Sequence, residues 1–236
     1  MELVLKPVAF VESCYRDRFA VPRQPLLVED AWAFLRFEPN VQPEISLQGI
    51  EGYSHLWVIF GFHLNKASTR FHAKVHPPRL GGESMGLFAT RTPHRPNPLG
   101  LSLVAIKKVT TNGIEILGAD LADGTPVYDV KPYLPEVESL HGALGGWAAR
   151  VAKPRKPVHI ESPELEIKIQ AWGEEIGQPN ILRLIIQTLE QDPRPLVYKE
   201  AGKGYKDTHA FRLFDGDIHF REVDGALEIF ALRLNG

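Results

Sequence analysis

The chain reads as a mainly β protein followed by a small α+β unit, on three observations. Short apolar stretches bounded by Gly, Pro, Asn or Asp recur through its first part. No amphipathic helix of convincing length appears before about residue 135. After a proline-rich basic stretch, "AKPRKPV" (152–158), the texture changes to two helical patterns and three strands.

The early strand candidates are "LVLKPVAF", "AWAFLRF", "HLWVIFGF", "MGLFAT", "LGLSLVAI", "GIEILGA" and "VYDV". Most are rich in β-branched or aromatic residues, which suit a pleated, half-buried surface. "TTNGIEI" places Asn-Gly between two of them, a hairpin signal. Many short strands with regular turns suggest a barrel or a sandwich.

"AKPRKPV" reads as a linker, so the expected domains are 1–150 and 158–236. Ser162 is a candidate N-cap, with Pro163 at the first helical position and acids in the first turn. Asn180 is a candidate cap for "ILRLIIQTLEQ", where Leu182, Ile185, Ile186 and Leu189 share a face, and Pro193 stops it. "HAFRLF", "IHFREV" and "ALEIFALRL" then read as a meander.

Bulk properties narrow the class. With 236 residues and a formal net charge of −2, the chain is not globally basic, so a nucleic-acid partner would meet a local patch. The single cysteine, Cys14, excludes an internal disulfide framework and suits a reducing compartment. "MELVLKPVAF" is no signal peptide, because Lys6 and Pro7 break the apolar run. "LWVIFGF" is too short to span a bilayer. A cytoplasmic protein without a membrane partner is expected.

Chemistry concentrates in "FATRTPHRPNPLGLSLVAI" (88–106). Pro93, Pro96 and Pro98 push Thr92, Arg95 and Asn97 toward extended conformations. In an extended segment Arg95 and Asn97 would face one side, held at little entropic cost. The bland alternative is a stiff turn whose polar groups satisfy the backbone. From Lys66 to Arg95 there are six Lys/Arg against one acid, Glu83, a formal +5, with His72, His76 and His94 alongside. Such a window is a candidate anion or RNA-backbone patch, although many charge runs are merely solvated. A second cluster, Arg194, Lys199, Lys203, Lys206 and Arg212, is interleaved with Tyr198 and Tyr205, a pattern suited to base stacking.

Other patterns are weaker. His55, His63, His72 and His76 match no zinc spacing, so no metal is expected. "AGKGYKDT" lacks Walker spacing, and no G-x-G-x-x-G follows a strand. "DGTP" (123–126) is by itself only a turn.

The ordered set "FAVPRQP" (19–25), "GYSHLWVIFGFH" (52–63), "HPPRLGG" (76–82), "MGLFATRTPHRPNPLGLSLV" (85–104) and "LADGTPVYDVKPYLP" (121–135) resembles the TrmO, or TsaA-like, family. The likeness continues into "QDPRPLVYKEAGKGY" (191–205) and is thin between about 140 and 180. It implies that the N-terminal domain is a β-barrel that holds the cofactor, beside the small C-terminal α+β domain read from the pattern above. It implies an S-adenosyl-L-methionine-dependent tRNA methyltransferase that methylates the exocyclic nitrogen of threonylcarbamoyladenosine beside the anticodon of a threonine tRNA. It also implies a homodimer.

By the same resemblance the cofactor positions are Arg23, Gln24, Pro25, His63, Leu64, Arg91, Leu101, Asp123, Gly124, Thr125 and Pro126. Leu64 departs from relatives that are polar there; a contact through its backbone is unaffected. The expected tRNA contacts are Arg95, Asn97, Arg194, Lys199, Lys203 and Tyr205. The acceptor nitrogen is ureido-like and poorly nucleophilic while neutral, so orientation plus partial proton removal would suffice. Asp129 is a candidate base on a strand end, and no base is assigned. A non-catalytic RNA-binding barrel and a small-molecule methyltransferase stand as alternatives.

Overall fold

The computed structural model describes residues 3–65, 71–151, 155–195 and 206–235. The strands in chain order are β1 (Ala9–Ser13), β2 (Ala33–Phe37), β3 (His55–Gly61), β4 (Lys74–Val75), β5 (Met85–Gly86), β6 (Leu99–Thr110), β7 (Gly113–Leu117), β8 (Pro126–Pro132), β9 (Val158–Ile160), β10 (Thr208–Leu213), β11 (Gly216–Val223) and β12 (Ala226–Leu234). Among the described residues, three α-helices are a turn or so long: α1 (Pro43–Ser46), α2 (Pro135–Glu138) and α3 (Gly146–Arg150). Two are longer, α4 (Pro163–Glu175) and α5 (Ile181–Glu190).

Six strands close into a barrel in the order β1-β2-β7-β6-β3-β8, with β8 pairing back onto β1. Period-2 alternation fills it: Leu56, Val58 and Phe60 point inward from β3, while His55, Trp57 and Ile59 are less buried. Leu35, Val104, Ile114, Ile116 and Val127 complete the filling. Phe60 pairs with Gly100 across the strands, and a Cβ on Gly100 would lie 2.2 Å from the Phe60 ring. The barrel thus uses glycine to admit an aromatic neighbour.

The hairpin at Asn112 is present, but its turn is Thr111–Asn112, and Gly113 opens β7. A Cβ on Gly113 would lie 2.2 Å from the Leu35 carbonyl oxygen. Glycine is needed here for close approach to β2 rather than for a positive φ.

The second sheet has the order β10-β11-β12-β9, with β9 parallel to β12. Val158 therefore belongs to a strand that the linker reading did not foresee. Ser162 caps α4 by accepting from Leu165 N at 3.2 Å, with Pro163 in the first turn, as expected. Asn180 holds the cap position of α5 without a side-chain cap bond; its amide instead reaches Asp30 Oδ1 at 3.5 Å.

The core under this sheet is not built from the C-terminal half alone. Cys14, Tyr15, Ala20, Val28 and Ala31 pack with Ile169, Trp172, Ile185, Leu189, Leu213 and Leu227. Tyr15 shares a buried hydrogen bond with Thr188 Oγ1 at 3.1 Å, and Phe214 N donates to the Cys14 carbonyl at 2.8 Å. Arg183 forks onto both oxygens of buried Asp30. Burial pushes the Cys14 thiol up to about 12, so the lone cysteine is chemically inert.

No helix among the described residues is long and apolar enough to cross a membrane.

Candidate cofactor and RNA site

Barrel topology gathers residues distant in sequence at one end. β3 runs antiparallel to β6 with Gly61 opposite Leu99, and antiparallel to β8 with Phe60 opposite Val127. The end of β3, the start of β6 and the start of β8 therefore coincide. This places His63 and Leu64, Leu101, and the turn Asp123–Pro126 around one rim. The segment after β7 joins them, because Leu26 N donates to the Gly118 carbonyl at 2.9 Å and brings in the loop that carries Arg23, Gln24 and Pro25.

The Asp-Gly-Thr-Pro turn is tightly held. Ser13 N donates to Asp123 Oδ1 at 2.8 Å, and Arg16 pairs with Asp123 Oδ2 at 2.7 Å. Gly124 N donates to the Val11 carbonyl at 2.8 Å, with φ at +73°, a backbone state that favours glycine. Around Gly124 the space is open: a Cβ there would meet only His63 Nε2, at 3.8 Å. Thr125 Oγ1 donates to the Ala122 carbonyl at 2.7 Å, so it is placed to accept from His63 Nδ1 at 3.4 Å.

Arg91 Nη1 donates to Gln24 Oε1 at 2.7 Å. Leu101 is 55 % exposed at the rim, an apolar surface open to a ligand. Its neighbour Ser102 is buried and donates to Asp120 Oδ1 at 2.5 Å. Burial pushes the Asp120 carboxyl up to about 6, while the Ser102 hydrogen bond and the Arg91 charge pull it back. Sequence reasoning missed Asp120. Its only signal was position, three residues before Asp123 on the same return from β7.

The stiff loop departs from the extended geometry expected of it. The chain bends at Pro93, Pro96 and Asn97. Alternation along an extended strand therefore does not set the directions of Arg95 and Asn97. Arg95 is fixed locally instead: its Nη1 donates to the Thr90 carbonyl at 2.9 Å and its guanidinium lies 5.6 Å from the Phe88 ring centroid. Asn65 Nδ2 braces the loop through the Pro93 carbonyl at 3.2 Å. Asn97 is exposed.

Arg194 requires a correction. Its side chain is only 4 % exposed, held by Asp192 at 2.8 Å and Glu222 at 2.6 Å. A guanidinium so enclosed is a structural ion pair and offers nothing to an RNA phosphate. Arg212 is likewise engaged, forking onto Asp217. Lys199, Lys203 and Tyr205 lie outside the described residues. Asp129 is ion-paired with Lys131 at 2.9 Å. Among the described residues no three His, Cys, Asp or Glu side chains are grouped to hold a metal.

A small closed barrel whose rim carries a glycine turn, an arginine–glutamine pair and an exposed leucine defines a class of non-Rossmann ligand-binding proteins. Residues 10–139 match the tRNA-methyltransferase O N-terminal domain, and residues 155–235 match the TrmO C-terminal domain. The chain belongs to the tRNA-methyltransferase O family. It is 38 % identical over 232 residues to an Escherichia coli K12 protein named tRNA (adenine(37)-N6)-methyltransferase, covering 95 % of each chain. It is 38 % identical over 219 residues to a Pseudomonas aeruginosa protein named a putative S-adenosylmethionine-dependent methyltransferase, covering 92 % of this chain and 91 % of that one. The crystal structure of TrmO from Pseudomonas aeruginosa superposes with a TM-score of 0.79 at 31 % identity, covering 99 % of this chain and all of that one.

Proposed function

We propose that this protein is an S-adenosyl-L-methionine-dependent tRNA methyltransferase acting on the exocyclic N6 of an adenosine beside the anticodon, and that the acceptor is threonylcarbamoyladenosine of a threonine tRNA. The observation that supports it most is convergence. His63, Arg91, Leu101 and the Asp123–Pro126 turn come from four separate segments, and the barrel register brings three of them to the rim to which Gln24 ties the fourth.

The residues fit such a cofactor. Arg91, positioned by Gln24, would balance a carboxylate. The open space over Gly124 lets an adenine approach backbone groups, and Leu101 gives an apolar wall. When bound, the cofactor supplies an electrophilic methyl group. The protein's part is to orient the acceptor nitrogen in line and to keep water out. That nitrogen carries a relatively acidic proton, so weak proton removal suffices and no strong base is required of the site.

The RNA is met by the cations of the Lys66–Arg95 window, of which Lys66 and Arg70 lie outside the described residues, together with Arg95 and Asn97. The protein acts as a homodimer in the cytoplasm. A dimer is supported by the apolar side chains exposed along 134–144, among them Val137 at 69 %, Leu140 at 74 % and Leu144 at 98 %. Light scattering that returns a monomer mass would remove it.

The decisive experiment is mass analysis of nucleosides from the tRNA of a deletion strain. Loss of methylated threonylcarbamoyladenosine, with its unmethylated form retained, is the expected result. An unchanged nucleoside profile would overturn the reading.

A further inference from the structure

We infer that the outer face of Phe88 is a stacking platform for a nucleobase of the anticodon loop next to the adenosine being methylated, with Arg95 closing its inner face. This rests on the tRNA reading above.

Phe88 is 76 % exposed, although burying a phenylalanine ordinarily gains roughly 1.5–3 kcal/mol. The exposure is built in by its neighbours. Leu87 is buried and its N donates to the Ala73 carbonyl at 2.9 Å. Thr90 Oγ1 donates to the Leu87 carbonyl at 2.8 Å, and Trp147 Nε1 donates to the Ala89 carbonyl at 2.8 Å. With residues on both sides tied down, the ring between them projects outward. Among the described residues the cation over the ring is the Arg95 guanidinium, 5.6 Å from the centroid and anchored on the Thr90 carbonyl.

One face of the ring is thus matched to a cation, and the assembly is exposed. A flat aromatic backed by arginine stacks any base, whatever its sequence. Position argues for the same occupant. Arg91, three residues along, is bonded to Gln24 at the cofactor rim. An adenosine brought to that rim must leave its stack, and its neighbour then lacks a stacking partner. Charge argues against a second copy of the chain as occupant. Arg91, His94 and Arg95 surround the ring in sequence, whereas the cores of protein interfaces are depleted of charge.

The test uses the full-length enzyme and tRNA purified from a strain that lacks the methyl group. Wild type, Phe88→Ala, Phe88→Leu and Phe88→Trp are compared for kcat and KM on tRNA, for S-adenosyl-L-methionine affinity by calorimetry, and for mass by light scattering. Phe88→Ala is expected to lower kcat/KM on tRNA about 5- to 150-fold with cofactor affinity unchanged. Phe88→Trp is expected to restore it and Phe88→Leu is not. With tRNA made abasic at both nucleotides flanking the target, wild type is expected to fall to the level of Phe88→Ala. Unchanged kinetics in Phe88→Ala, rescue by leucine, or a dimer lost with the ring would each overturn the platform. If wild type itself transfers no methyl to tRNA, the functional reading fails and the platform falls with it, a result distinct from a selective Phe88 null.

Discussion

Arg91 and Gln24, 67 residues apart in sequence, meet through a hydrogen bond of 2.7 Å at the barrel rim. The amide fixes one of the guanidinium's five donors and leaves the others to a ligand. Arg91→Ala is expected to weaken S-adenosyl-L-methionine binding about 10- to 100-fold, the loss of a charge-assisted bond. Asp123→Ala is expected to weaken it too, and to lower the melting temperature, because Ser13 N and Arg16 lose their partner. Asp123→Asn keeps an acceptor for Ser13 N and is expected to recover most of that stability. Calorimetric titration beside thermal melts checks all three; wild-type titrations from folded Arg91→Ala and Asp123→Ala would mean the pocket lies elsewhere.

Arg95 contacts Phe88 and the Thr90 carbonyl rather than the rim itself. Arg95→Ala is therefore expected to lower turnover on tRNA while cofactor affinity changes little. Normal turnover at saturating cofactor would return the loop to a stiff turn.

Arg194 is expected to matter for stability rather than for RNA. Its loss removes a two-point guanidinium contact from Asp192, itself only 5 % exposed, and one from Glu222. Breaking such a buried pair costs about 3–5 kcal/mol. Arg194→Ala should show this as a lower urea midpoint, with the salt slope of tRNA binding unchanged in whatever protein remains folded.

Asp120 supplies a pH dependence with a definite sign. Its carboxyl titrates at about 6 in the folded state, above the ordinary aspartate value of 3.8. Between those values the folded state binds more protons than the unfolded one, so stability falls as pH rises from about 4 to 6 and the cost is full above that. Asp120→Asn keeps an acceptor for Ser102 and is expected to stabilise the protein at pH 7 by on the order of 2 kcal/mol, with no gain below about pH 4. A pH-independent difference in urea midpoints would remove Asp120 as its cause.

A chain ending at residue 153 keeps every proposed cofactor position. It also removes the C-terminal partners of Tyr15, Val28 and Ala31, which are fully buried in the intact chain. At about 1.5–3 kcal/mol for each large apolar side chain exposed, such a fragment is expected to aggregate or melt early. Tyr15→Phe, which strands Thr188 Oγ1, is expected to cost about 1 kcal/mol. A fragment that melts like the whole chain in size-exclusion-checked preparations would contradict the shared core.

Much of the architecture was legible because local rules and packing agree. "HLWVIFGF" alternates as a strand half-buried in a barrel wall does, and β3 obeys it. Ser162 and Pro163 start α4 by the capping rule. The proposed cofactor positions come from resemblance, and barrel register supplies a physical reason for the proximity of His63, Leu101 and the Asp123–Pro126 turn. What escaped depends on distant partners. Val158 looked like linker because parallel pairing with Leu227 leaves no local mark. Arg194 looked like a phosphate contact because sequence does not show that Glu222 folds over it. Asp120 differs from other aspartates only in what buries it. The prolines promised extension, but the chain bends at Pro93, Pro96 and Asn97, with Arg95 N bonded to the Pro93 carbonyl and Leu99 N to the Asn97 carbonyl, closures that no dipeptide rule contains.

The interleaving of residues 14–31 with the C-terminal core also sets a schedule. Ribosomes add roughly 5–20 residues per second, so the 173 residues that separate Tyr15 from Thr188 take about 9–35 s to appear. For that interval the first segment synthesised waits for the last, with apolar side chains that have no home. The nascent protein is thus an expected client for chaperones, and residues 14–31 complete their core only once the segment around Thr188 has emerged. An interrupted message is expected to yield a substrate for proteases rather than a half-size cofactor binder.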